Sequence, residues 1–129
     1  MLNFKGIDHI NLNVENLKSS IKFYKDIFGF EVKEEGNSLK SGNDFAIIGK
    51  SGLGMLALYQ VDDFKLHGNL NHLGFNVESL EGIERYFNEK SIPMLYGGGV
   101  VLYPNSKSIY VADPSGYEIE ISNNFGGGL

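Results

Sequence analysis

Apolar residues occupy every second position from Ile10 through Leu12 to Val14, with His9, Asn11 and Asn13 between them. That period of two marks a strand with one buried face. Leu17, Ile21, Tyr24 and Phe28 follow at helical spacing and stop at Gly29, a residue type suited to ending a helix in the left-handed region. The pattern then starts again: Leu73, Phe75 and Val77 alternate with His72, Gly74 and Asn76. Leu80, Ile83, Tyr86 and Phe87 predict a shorter second helix, with Pro93 beyond its end. Asn16 and Ser79 stand at equivalent places ahead of the two helical runs and are the expected N-caps.

The two stretches, DHINLNVENLKSSIKF from Asp8 and NHLGFNVESLEGIERY from Asn71, align without a gap at an offset of 63. His9 falls on His72, Asn13 on Asn76, Val14 on Val77 and Phe23 on Tyr86. Three apolar runs broken by turn residues follow each helix: 30–33, 45–48 and 55–61 in the first copy, then 94–103 with a glycine break, 108–112 and 117–122 in the second. The unit is βαβββ, used twice. Residues 4–61 form module one, 62–69 a linker, 70–122 module two, and 123–129 a glycine-bearing tail expected to be flexible. The predicted fold is α+β, a single domain of two tandem βαβββ modules forming a curved mixed sheet around a shared metal and ligand cleft, with the helices outside.

Composition narrows the chemistry. A chain of 129 residues, 42% hydrophobic, can bury a core without staples. It has no cysteine, so a metal would be held by nitrogen and oxygen. With a formal net charge of −5 and Arg85 as its one arginine, it carries no basic stripe for nucleic acid. The first residues, MLNFKGID, lack an apolar signal core, and no apolar run approaches the roughly 20 residues of a membrane span. A cytoplasmic protein with a small-molecule partner is the expectation.

Both repeated histidines fall on the polar side of their strands. In the last run Tyr117, Ile119 and Ile121 share one face, and Glu118, Glu120 and Ser122 the other. With the isoleucines packed toward the helix, Glu120 would face the cleft together with His9 and His72. One histidine on a polar face is most often merely solvated; two at a fixed offset, with an aligned carboxylate, are a ligand set for one divalent cation with open positions. Subtracting the offset from Glu120 gives Ala57, so three ligands are expected, one from the first copy and two from the second. Iron, manganese, nickel, cobalt and zinc all suit that set. Glu118 reads as a group at the rim. Tyr59, Tyr96, Tyr103 and Phe125 lie near the predicted cleft and could clamp a substrate. Asp113-Pro114-Ser115-Gly116 is a β-turn with proline in its favoured second place.

His9 in DHINLNV, the FYKDIFGFEV run, His72 in NHLGFNV and the closing YVADPSGYEIEI resemble the vicinal oxygen chelate superfamily. That group includes glyoxalase I, extradiol dioxygenases, methylmalonyl-CoA epimerase, and the fosfomycin and bleomycin resistance proteins. The resemblance runs from Ile7 to Ile121. It implies His9, His72 and Glu120 as metal ligands, a homodimer, and lyase, isomerase or dioxygenase chemistry on a substrate that chelates the metal through adjacent oxygens. Glu118 and Tyr103 are then the candidates for moving a proton. Three departures stand out. Where glyoxalase I carries a further glutamate this chain has Leu56-Ala57-Leu58-Tyr59, and where extradiol dioxygenases hold a histidine it has Leu102-Tyr103. Fosfomycin enzymes use basic residues around a phosphonate, and only Lys107 is near. The alternative implied is a protein that sequesters a bleomycin-like antibiotic without catalysis.

Overall fold

The computed structural model describes residues 1–128, which divide into two compact units meeting between Lys65 and Leu66, inside the predicted linker. Each unit is a four-stranded mixed sheet with one helix.

The first unit contains β1 (His9–Val14), α1 (Leu17–Phe28), β2 (Glu31–Asn37), β3 (Asp44–Lys50) and β4 (Gly54–Gln60). Its sheet order is β1-β4-β3-β2, with β1 parallel to β4 and the other pairs antiparallel. The alternation read from sequence holds: Leu12 and Val14 are buried while His9, Asn11 and Asn13 are exposed. Helix α1 lies on β3 and β4, and Tyr24, fully buried, stacks on Phe28 and Phe30 and meets Phe23 edge-on. Asn16 caps the helix as expected, its Oδ1 accepting from Ser19 N–H at 2.9 Å, while Gln60 Oε1 accepts from Leu17 N–H at 2.8 Å. Gly29, at φ 67°, ends it. Replacing Asn16 by alanine should lower unfolding free energy by about 1 kcal/mol in urea titration.

The second unit contains β5 (Leu73–Asn76), α2 (Ile83–Glu89), β6 (Val101–Leu102), β7 (Lys107–Ala112) and β8 (Glu118–Ser122), in the order β5-β8-β7-β6. Strand β5 runs parallel to β8, and the other pairs are antiparallel. Leu73, Ile109, Val111, Ile119, Ile121 and Phe87 form the buried side.

One expectation is corrected here. Ser79 is not the cap of α2; that place belongs to Gly82 at φ 75°, and Ser79 Oγ accepts from Glu81 N–H instead. A glycine costs helix about 1 kcal/mol relative to alanine, so α2 starts only after it. The glycine break expected within 94–103 is present: Met94 makes a single bridge to Val111, and ordered pairing resumes at Val101. Between them Tyr96, Gly97 and Gly98 have positive φ, which no strand accommodates. In the tail, Phe125–Gly127 forms a short 3-10 turn with Gly126 at φ 63°.

The offset of 63 extends beyond the sequence match into the pairing. Asn11 sits beside Ala57 as Gly74 sits beside Glu120, and Ile47 faces Ala57 as Tyr110 faces Glu120. No insertion separates the two sheets in register, so Ala57 is the structural counterpart of Glu120.

Candidate metal centre

A buried carboxylate needs partners, because an ionised group removed from water without them is strongly disfavoured. Glu120 in the middle of β8 is only 4% exposed and has three neighbours. Ser108 Oγ donates to its Oε1 at 2.6 Å, and His72 Nε2 stands 2.9 Å from its Oε2. Tyr110 stands directly across from it in the β7–β8 pair.

The histidine's tautomer follows from its other nitrogen. Nδ1 of His72 lies 2.7 Å from the Asn71 Oδ1 acceptor and so carries the proton. In the neutral ring Nε2 is then a lone pair facing the lone pairs of Glu120 Oε2. Two acceptors at that distance require a cation between them, either a proton or a metal ion. Ligands about 2.1 Å from a common ion and at right angles to each other stand about 3 Å apart, which the 2.9 Å separation meets.

His9, in the first unit, is built the same way. Its Nδ1 lies 2.7 Å from Asp8 Oδ2, leaving Nε2 as a lone pair on an exposed ring. A metal-binding histidine commonly gives its second N–H to just such an oxygen. Within neither unit do three His, Asp or Glu side chains gather at one point among the described residues. Module two by itself therefore supplies two donors.

Around the carboxylate lies a phenol cluster. Tyr103 and Tyr110 hydroxyls are 2.5 Å apart, Tyr96 meets the Tyr110 ring edge-on, and the Tyr96 hydroxyl is bonded to Glu118. Burial, then the bonds to Tyr103 and Glu120, push the Tyr110 phenol far above its ordinary range. The Tyr110 phenol thus stays neutral, and its hydroxyl shares one hydrogen bond with that of Tyr103. The bond to Glu118 likewise raises the exposed Tyr96 phenol. A cavity of about 310 Å³ opens beside the pair, lined by His72, Phe75, Asn76, Glu120, Ser122 and Phe125.

The structure therefore brings together His72, Glu120 and Phe125, and separately Tyr96 with Glu118 and Tyr103 with Tyr110. Tyr59 lies in the first unit, stacked on Phe45. Tyr103, a candidate for moving a proton, is hydrogen-bonded to Tyr110. Lys107 is not near the carboxylate face: one residue before Ser108, it alternates to the opposite side of β7. Ser108 and Tyr110 were missed. The hairpin turn at 113–117 contained the signal, because pairing β7 with β8 across it sets Tyr110 against Glu120.

The family model of the Glyoxalase/Bleomycin resistance protein/Dioxygenase superfamily matches residues 6–121. Metallothiol transferase FosB of Staphylococcus epidermidis is 27% identical over 119 residues, spanning 91% of this chain and 82% of its own. Among solved structures, a glyoxalase family protein from Enterococcus faecalis is 26% identical with a TM-score of 0.76, over 92% of this chain and 98% of that one. A mutant of the fosfomycin resistance protein FosX from Listeria monocytogenes, complexed with Mn(II) and a dihydroxypropylphosphonic acid, is 20% identical with a TM-score of 0.72 over 94% of each chain. At that identity the likeness is one of fold.

Proposed function

We propose, since the chain belongs to the Glyoxalase/Bleomycin resistance protein/Dioxygenase superfamily, that it is a divalent-metal-dependent enzyme acting on a small substrate that chelates the ion through adjacent oxygens. The observation that carries this reading is that His72 Nε2 and Glu120 Oε2 face each other 2.9 Å apart, with Nδ1 of the ring and Oε1 of the carboxylate already bonded. His9 is the third ligand, contributed by a module-one sheet, and the working form is a homodimer. FosX, complexed with Mn(II), supports a hard divalent cation with nitrogen and oxygen ligands.

Bound in that set, the ion would supply Lewis-acid stabilisation of negative charge on the substrate oxygens. The remaining work falls to the chain. Asn71 and Asp8 orient the imidazoles; Ser108 holds the carboxylate, with Tyr110 opposite it; Phe75 and Phe125 line the cavity. The Tyr103–Tyr110 couple holds a proton beside Glu120, Glu118 with Tyr96 forms the outer rim, and Tyr59 is the aromatic substrate contact offered by module one. Antibiotic sequestration without chemistry would have no use for two oriented donor atoms on one carboxylate and imidazole.

Denaturant unfolding of EDTA-stripped protein tests this. Mn(II) at a hundredfold excess over its dissociation constant should add about 2.7 kcal/mol. Superimposable curves with manganese, iron, cobalt, nickel and zinc would refute the reading.

A further inference from the structure

A carboxylate can bind a cation through one oxygen or through both, and the choice sets how many positions stay open for substrate. At Glu120 the two oxygens have different neighbours. Oε1 accepts the hydroxyl of Ser108, a residue with no exposed surface, at 2.6 Å, a short charge-assisted bond. Oε2 is turned to His72 Nε2. We infer that Ser108 is a positioning residue that restricts Glu120 to one metal-facing oxygen, Oε2, so that the substrate finds an additional open position. This inference rests on the metal-binding role proposed above and concerns how that ligand is held.

The internal repeat supplies an independent argument. In register, Phe45, Ile47 and Ala57 of module one stand where Ser108, Tyr110 and Glu120 stand in module two. At these three positions the hydroxyls of Ser108 and Tyr110 occur only in the copy that carries the carboxylate; module one has Phe45 and Ile47 there. Ser108 is diagonal to Glu120, facing Ser122 across the pair, so its hydroxyl reaches the oxygen that the directly opposed Tyr110 does not fix alone. Any buried carboxylate wants donors, so stability does not separate the two roles; coordination does.

Manganese offers roughly six positions. Two imidazoles and one carboxylate oxygen leave about three of these, and a chelating pair of substrate oxygens then leaves one for water. With both carboxylate oxygens bound, the chelating substrate would fill the shell.

Water-proton relaxation of Mn(II)-loaded protein counts the exchangeable waters, and electron paramagnetic resonance titration gives the dissociation constant. Ser108→Ala should keep manganese within about threefold of wild type or bind it more tightly, yet lose about one bound water, and Ser108→Thr should restore the count. An unchanged count in the alanine variant, with manganese still bound, would overturn the inference and leave the proposed metal site intact. Wild type that takes up no manganese would remove both. Infrared spectra of the wild-type holoprotein with isotope-labelled glutamate need no variant to fold. The wide splitting of carboxylate stretches given by one-oxygen binding supports the assignment, and the narrow splitting of two-oxygen binding overturns it.

Discussion

Replacing His72 by alanine is expected to weaken manganese binding by more than about a hundredfold, because losing even an outer partner of a ligand costs about 10–100-fold. The change removes one of the two donors that module two contributes and leaves Glu120 Oε2 without its neighbour at 2.9 Å. The fold should survive it. The imidazole is about a third exposed, and the buried carboxylate keeps its bond to Ser108. Magnetic resonance titration of Mn(II), with circular dichroism as the control, reads the result; His9→Ala should behave alike. Full-strength binding in the His72 variant would mean that the ion, if any, is held elsewhere.

Asp113→Ala should have the largest effect on stability outside the hydrophobic core. The Asp113 carboxylate is 5% exposed, and its Oδ1 accepts from the backbone N–H groups of Ser115 and Tyr117, each at 2.9 Å. Hydrogen bonds to a charged group contribute about 1.5–3 kcal/mol each, and two sharing one oxygen do not add fully, so a loss of about 3 kcal/mol is expected. Alanine would leave both N–H groups without their acceptor. The urea midpoint should fall with an unchanged slope, and manganese affinity should fall with it, since this turn aims β8 and hence Glu120. Asp113→Asn, which retains an oxygen at the same place, should cost less.

Much of this architecture was legible because duplication wrote it twice. The alternating faces of β1 and β5, the Asn16 cap, the Gly29 stop and the absence of a carboxylate at Ala57 all follow from short-range pattern plus one offset. The start of α2 was not, because Gly82 stands where module one has Ser19, the third residue of its helix, and a single glycine moves the cap past Ser79. The break ahead of β6 was legible in its glycines, and three consecutive residues at positive φ turn that part of the apolar run into a loop. The polar setting of Glu120 was hidden for a different reason. Ser108 and Tyr110 look ordinary in a strand, and only the cross-strand register shows that they surround one carboxylate. Carrying the offset to those two positions, where it lands on Phe45 and Ile47, would have exposed the change of a whole face from apolar to polar.

The most direct measurement is a crystal of the manganese-soaked protein with anomalous diffraction recorded at the manganese edge. One peak per chain, about 2.0–2.3 Å from a His72 nitrogen, a His9 nitrogen and a single Glu120 oxygen, is the expected result. A peak away from Glu120, or none at saturating manganese, would contradict it.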